Sequence, residues 1–262
     1  YSEQAEVLTD LDAMNCNAVH TYIHVPDSER EEEQLRGMLA ALDERGYGVT
    51  LTPHVPYGTF EDADDPAFPS YYCVNNDWGD RWVEACREMA QYPFMGISVV
   101  PDEYNWNTGR LKRAYATHPD QRVQQFYQDL STYCPCEECQ ERLQADYGMP
   151  MPEVGEWSRP PGQSEAHRDF VDFRYQCTTD LIGRAVDAVH SGPYETAADS
   201  LICVSPICSD FRLGTGVAWD MVGYETDIDF PTTDPYILLH NYKGDSTHWY
   251  VTETTLHLVG ST

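Results

Sequence analysis

Residues 94–106 read FMGISVVPDEYNW, from Phe94 to Trp106. The apolar and small residues from Phe94 to Val100 predict a short strand buried on both faces. Pro101 ends it, because proline has no N–H to give to a ladder. Asp102 and Glu103 follow at once. An acid just past the end of a buried strand stands where parallel α/β proteins carry their chemistry.

Helical and strand patterns alternate on both sides of this strand. Glu3 to Met14 places Ala5, Leu8, Leu11 and Met14 on one helical face. Asn17 to Val25, NAVHTYIHV, reads as a strand. Ser28 and Glu31 form a capping box, and the helix behind it carries Leu35, Met38, Leu39 and Leu42 on one stripe, ending near Gly46. Gly48 to Pro53, GVTLTP, is the next strand, and a loop rich in Pro, Gly and Asp runs from His54 to Asn76. Asp77 is placed to cap a helix bearing Trp82, Val83, Cys86, Met89 and Ala90.

Beyond Val100 a long insertion runs from Tyr104 to about Gly162 (residues 104–162), with short helices at Gln121–Tyr133 and Cys139–Tyr147. Ser164 then opens a long helix with Val171, Cys177, Leu181, Ile182, Ala185, Val186 and Val189 in its core stripe. Leu201 to Pro206 reads as a strand, as does Ile228 to Tyr236, and His248 to Val259 as a helix. This alternation predicts a parallel sheet with crossover helices, in one α/β domain over residues 1–262. A doubly wound open sheet is the rival to a barrel, but no glycine-rich phosphate loop follows any strand.

The charge is extreme: 44 acidic residues against 16 basic ones give a net of −28, and the only lysines are Lys112 and Lys243. Such a surface repels nucleic-acid phosphates and anionic membranes. Self-repulsion at this density is relieved when salt shortens the Debye length to about 3 Å at 1 M, so scarce lysine and surplus acid point to a high-salt setting. An ordinary acidic protein is the alternative. No stretch approaches the roughly 20 apolar residues that span a bilayer.

Cys134, Cys136 and Cys139 form a C-x-C-x-x-C cluster, with Cys73 upstream. Four thiolates satisfy a tetrahedral Zn²⁺ with no open position, which makes the expected metal structural. It would clip the loop carrying Cys73 to the insertion. Free thiols or a disulfide are the alternatives. Cys86, Cys177 and Cys203 fall on apolar positions and read as small buried hydrophobes. Thiolate chemistry leans towards a reducing, cytoplasmic compartment.

YYC (Tyr71–Cys73), NNDWGDRWVEACREM, PDEYNW (Pro101–Trp106) and CPCEECQERLQADYG (Cys134–Gly148) follow one another in a recognisable order. It resembles that of the glycoside hydrolase family 42 β-galactosidases: HYC and a polar turn, a helix, a strand ending in NEY, C-x-C-x-x-C, and a helix ending in YG. DFVDFRYQCTTDLIGRAVDAV is similar to the family's long helix after the zinc loop, TDPY (Thr233–Tyr236) to its DNYP strand end, and GYGVTLTPHVP to its third strand. The resemblance implies a (β/α)₈ TIM-type barrel, here a partial one without strand one or strands seven and eight. It also implies a zinc-stapled loop after strand four and a retaining glycosidase acting on β-galactoside-like sugars. A homo-oligomer, a trimer in the family, is implied by the resemblance alone.

On this reading Glu103 is the general acid/base; the nucleophilic glutamate belongs to strand seven and has no counterpart here. A surface Glu103 paired with Arg110 or Arg113 is the alternative. The family's Asn before the acid is Asp102 here, a residue that accepts a hydrogen bond from the sugar 2-hydroxyl but donates none unless protonated. A loop-capping role for Asp102 is the other reading. Trp106, Trp157, Trp219 and Tyr236 are candidate sugar platforms, while Trp82 reads as core. Asp234 orients a neighbour or a hydroxyl, or caps a turn. His24 and His54 end two strands on the same rim as Glu103 and are candidate hydroxyl ligands, or satisfied strand-end histidines. Glycosidases of other specificity, and a catalytically inactive carbohydrate-binding barrel, are the remaining alternatives.

Overall fold

A computed structural model describes residues 9, 11, 17–55, 74–99, 137–150, 165–200 and 219–231. The described strands are β1 (Ala18–His24), β2 (Gly48–His54), β3 (Gly96–Ser98), β4 (Ala197–Ser200) and β5 (Phe230–Pro231). The helices are α1 (Glu29–Asp43), α2 (Asp77–Met89), α3 (Glu137–Tyr147), α4 (Glu165–His190) and α5 (Trp219–Glu225). The strands make one five-stranded sheet in the order β1-β2-β3-β4-β5. Every pairing is parallel. Sequence order and spatial order coincide, so no switch point falls among the described strands.

Local chemistry accounts for the helices. Ser28 Oγ accepts from Glu31 N–H at 3.4 Å, as a capping box requires, but the Glu31 carboxylate reaches back to Asp27 N–H (3.0 Å) rather than to Ser28. At the other end of α1, Gly46 adopts φ 78° and Tyr47 N–H returns to Leu42 O (3.0 Å), closing the helix with a left-handed residue. The N-cap of α2 is Asn76, whose side chain accepts from Trp78 N–H (3.0 Å); Asp77, expected as the cap, is the first helical residue instead. Asp77 still faces the positive end of the helix dipole.

Two expected elements shift and one helix is new. The strand predicted over Phe94–Val100 is regular only at Gly96–Ser98, although Met95 N–H bonds Val49 O (2.8 Å) and Val99 N–H bonds Asp199 O (2.8 Å) on either side. The strand predicted at Leu201–Pro206 begins earlier, at Ala197; residues 201–218 lie outside the described residues. Helix α5 was not expected. Of the Glu3–Met14 helix only Thr9 and Leu11 are described, both helical; the predicted helices at 121–133 and 248–259 lie outside the described residues.

The register assigns the two faces of the sheet. Val49, Leu51, Ile97, Val99 and Ala198 point to one side and are buried in a single cluster with Leu35, Leu39, Trp82, Met89, Phe173 and Ile182 from the helices. The helices α1 and α2 pack on β2, α4 packs on β4, and α4 lies against α2, α3 and α5. Each fully buried aliphatic or aromatic side chain contributes about 1.5–3 kcal/mol. The other face carries polar side chains.

No helix among the described residues is long and apolar enough to cross a membrane.

Candidate active site

The polar face follows from alternation. His20, Tyr22 and His24 share a side of β1, and they stand in register with Thr50, Thr52 and His54 of β2. Thr50 pairs with Gly96 and Ser98 pairs with Asp199, so the same side continues across β3 and β4. His20 Nδ1 lies 2.9 Å from Thr50 Oγ1 and its Nε2 lies 3.2 Å from Thr52 Oγ1. A neutral imidazole donates through one nitrogen and accepts through the other, and the hydroxyls serve both roles. His20 is thereby held as a fixed ring in the floor of this face, edge-on to Tyr22 at 5.5 Å between centroids.

His24 and His54 stand one pleat higher, at the C-terminal ends of adjoining strands, with ring centroids 4.1 Å apart and planes tilted by 56°. His24 is exposed and His54 half-buried. The two expected rim histidines are thus brought together, on the end of the sheet where parallel α/β proteins bind ligands.

Ser98 and Asp199 were not singled out in the sequence. Ser98 is fully buried and Asp199 is 8% exposed, on adjacent strands of the polar face. A Cβ on Gly96 would lie 2.7 Å from Asp199 Oδ2 and 3.2 Å from Thr50 Cγ2. The carboxylate therefore lies over the backbone of β3, in space that only glycine leaves open. The signal available in the sequence was polar residues at every second position: His20, Tyr22, His24; Thr50, Thr52, His54; and Asp199 inside a strand.

β3 is also pinned from the helix side. Trp82 donates its indole N–H to Val99 O at 3.0 Å and stacks on Trp78 at 6.0 Å between centroids. Trp82 is 3% exposed, as a core tryptophan should be. Val99 is the last described residue before the PDEYNW segment. Glu103, Asp102, Trp106, Trp157, Asp234 and Tyr236 lie outside the described residues, as do Cys73, Cys134, Cys136 and Cys203. Trp219 opens α5.

Cys139 sits in the first turn of α3 and is fully buried. Asn75, two positions after Cys73, donates from Nδ2 to Cys139 Sγ (3.1 Å) and to Cys177 Sγ of α4 (3.2 Å). Arg142 Nη1 donates to Asn75 Oδ1 (3.0 Å), and the same guanidinium bonds Asp180 and, through Nε, Asp146 at 3.2 Å. Burial pushes the Cys177 thiol up to about 12, with Arg142 and Asn75 acting against it. Cys86 is likewise buried and its thiol is pushed far up by burial, so both behave as the small hydrophobes expected. A buried sulfur with an amide donor aimed at it is chemistry that suits a zinc thiolate, and Cys139 fits that part. Among the described residues no group of three or more His, Cys, Asp or Glu gathers as a metal would need.

No protein-family model matches the chain, and no curated protein matches it.

Proposed function

We propose that this chain belongs to a (β/α)₈ barrel of a retaining glycoside hydrolase, β-galactosidase-like, with Glu103 as the general acid/base. One observation carries the reading: a parallel sheet whose described strands are wound in strict sequence order, whose face opposite the described helices is polar and whose C-terminal end carries His24 beside His54. Sequential winding is what a barrel gives, whereas a doubly wound sheet reverses its order. The described helices join one core cluster on one face, which supports the same choice. β3 ends on the same rim as the two imidazoles, and in this reading Asp102 and Glu103, three and four positions beyond Val99, would stand there.

The chemistry follows from that arrangement. Glu103 must arrive protonated to give its proton to the leaving oxygen, so its surroundings must favour the neutral acid. Apolar walls and an ionised partner carboxylate both do so. In this reading the partner is the nucleophilic glutamate of barrel strand seven. His24 and His54 offer donors and acceptors to sugar hydroxyls, and Trp106 and Tyr236 offer ring faces. Asp102, in place of the family's asparagine, favours a sugar other than galactose as the second reading. Zinc held by Cys73, Cys134, Cys136 and Cys139 would staple the insertion and take no part in the reaction. Water exclusion and sugar orientation would fall to the insertion and the rim residues. The −28 charge supports a high-salt setting, in which the melting temperature rises with added salt instead of staying level.

Glu103→Gln in the full-length protein, assayed on aryl glycosides, tests the reading. Loss of about 10²-fold or more in kcat with the fold intact is expected; unchanged turnover removes Glu103 from the mechanism. Sugar binding without turnover in the unaltered protein would favour the inactive carbohydrate-binding barrel.

A further inference from the structure

We propose that a cavity at the N-terminal end of the sheet, away from the histidine rim, binds a small organic cation: an ammonium group on an apolar or aromatic body. The cavity has a volume of about 530 Å³, inside the range of roughly 300–1,000 Å³ that holds small molecules. It lies beside Gly48, the first residue of β2, between α1 and the turns that lead into β3 and β4. His54 ends the same strand, so the cavity and the rim stand about 20 Å apart at a rise of roughly 3.3 Å per residue. The proposal is independent of the glycosidase reading.

The walls are apolar and aromatic. Leu39, Val49 and Phe94 are buried along them. Four large apolar or aromatic side chains are exposed among the described residues, and two of them, Met95 (50%) and Tyr194 (43%), line this one cavity. Exposed apolar surface gathered in one concavity marks a binding site. A Cβ on Gly48 would lie 2.6 Å from Met95 Sδ, so the thioether lies across the start of β2 and forms the wall there. Thioether and aromatic faces are polarisable, electron-rich surfaces that receive a ring or a cation.

Charge selects among ligands. The two ionised side chains of the lining, Arg36 and Asp43, lie two turns apart on one face of α1. Arg36 is already occupied: Nε and Nη2 donate to Glu32 Oε1 at 3.0 and 2.8 Å, and its guanidinium lies 4.8 Å from the centre of the Tyr92 ring. Asp43 is exposed, and no cation pairs with its carboxylate among the described residues. The uncompensated charge of the cavity is thus negative, and the net charge of −28 adds a field of the same sign. An anion is repelled, while a cation whose apolar part fills the cavity meets Asp43 with its ammonium group.

The test uses the full chain labelled with ε-¹³C-methionine, at one salt concentration. Met95→Leu assigns the Met95 methyl resonance. Three probes of similar size differ in charge: phenethylammonium, 2-phenylethanol and phenylacetate. The Met95 methyl is expected to move saturably with the ammonium, with an affinity at least about threefold above that of the alcohol, and least with the carboxylate. Asp43→Asn should lower the affinity for the ammonium about two- to fivefold and leave that for the alcohol unchanged. Ala40→Trp, at an exposed position of the lining, should fill the cavity and abolish the shift with every probe. A Met95 methyl that stays in place, or that moves equally with all three probes, overturns the proposal, as does an ammonium preference that survives Asp43→Asn. A dimer in sedimentation that Ala40→Trp makes monomeric would give this face to a second copy of the chain and overturn it too.

Discussion

His24 and His54 face one another across the β1–β2 ladder, residue opposite residue, with their rings 4.1 Å apart at the end of the sheet. Parallel register makes this meeting obligatory: a one-residue slip would send one imidazole into the helix-packed core. Beneath them His20 is locked between Thr50 and Thr52, so the rim pair stands on a fixed floor.

If that pair holds sugar hydroxyls, its loss shows in binding first. His54→Ala in the full-length protein should raise KM by about three- to tenfold, the worth of one net hydrogen bond, with a smaller change in kcat. His24→Ala should do the same more weakly, because its ring is the more exposed. Steady-state kinetics on an aryl glycoside give both parameters. A KM unmoved by either substitution would return the pair to a structural role.

Gly96→Ala puts a methyl 2.7 Å from Asp199 Oδ2 and 3.2 Å from Thr50 Cγ2. The strand cannot retreat, since β3 is paired on both sides. A loss of about 1–3 kcal/mol is expected. Asp199→Ala on top of it should restore much of that loss, because the clash is with the carboxylate. A double-mutant cycle by urea unfolding reads the coupling. Additive effects would mean that Asp199 does not lie over Gly96.

The helices were legible because stripe and cap agree: Leu35, Leu39 and Leu42 behind Ser28, and Trp82, Cys86 and Met89 behind the Asn76–Asp77 turn. The start of β4 at Ala197 was missed because AADS has weak strand propensity while LICVSP next to it is apolar and β-branched; the pairing of Ala197 and Ala198 with Gly96 and Ile97 overrides that preference. α5 is short and holds Gly223, so it carries no strong period. The rim histidines could be read from strand ends. The polar face could not, since Thr52, Ser98 and Asp199 become neighbours only through pairing between strands far apart in the chain. Asn75 was invisible for the same reason: nothing local marks an amide whose partners are 64 and 102 residues away.

Asp229 joins the end of α4 to β4. Its Oδ2 accepts from Ala198 N–H (2.8 Å) and pairs with His190 Nε2 (2.9 Å). Partial burial pushes its carboxyl up, but the His190 and Ala198 bonds outweigh it, and the net shift is downward. A depressed carboxyl adds stability above its unfolded value, and that contribution is lost as pH falls through the folded one. Asp229→Asn should therefore cost about 1 kcal/mol near neutrality. The gap to the unaltered chain should close at pH below the ordinary aspartate range. Urea unfolding at several pH values and one salt concentration checks the sign: a gap that widens in acid would contradict it.

Trp82 couples the helix layer to the strand that leads to Glu103. Its indole N–H is bonded to Val99 O at 3.0 Å and its ring is 3% exposed. Trp82→Phe keeps most of the apolar volume and deletes the donor, so a buried carbonyl is left without that partner at a cost of about 1–3 kcal/mol. Amide exchange at Val99 and its ladder neighbours should quicken by a similar factor in free energy, while exchange in α1 stays as it was. If Glu103 is the general acid, a displacement of a fraction of an ångström spoils its alignment with the leaving oxygen, and kcat in the full-length protein should fall more than KM rises. Equal exchange at Val99 in the two proteins would show that the indole bond does not hold the strand end, and would leave any kinetic change to another cause.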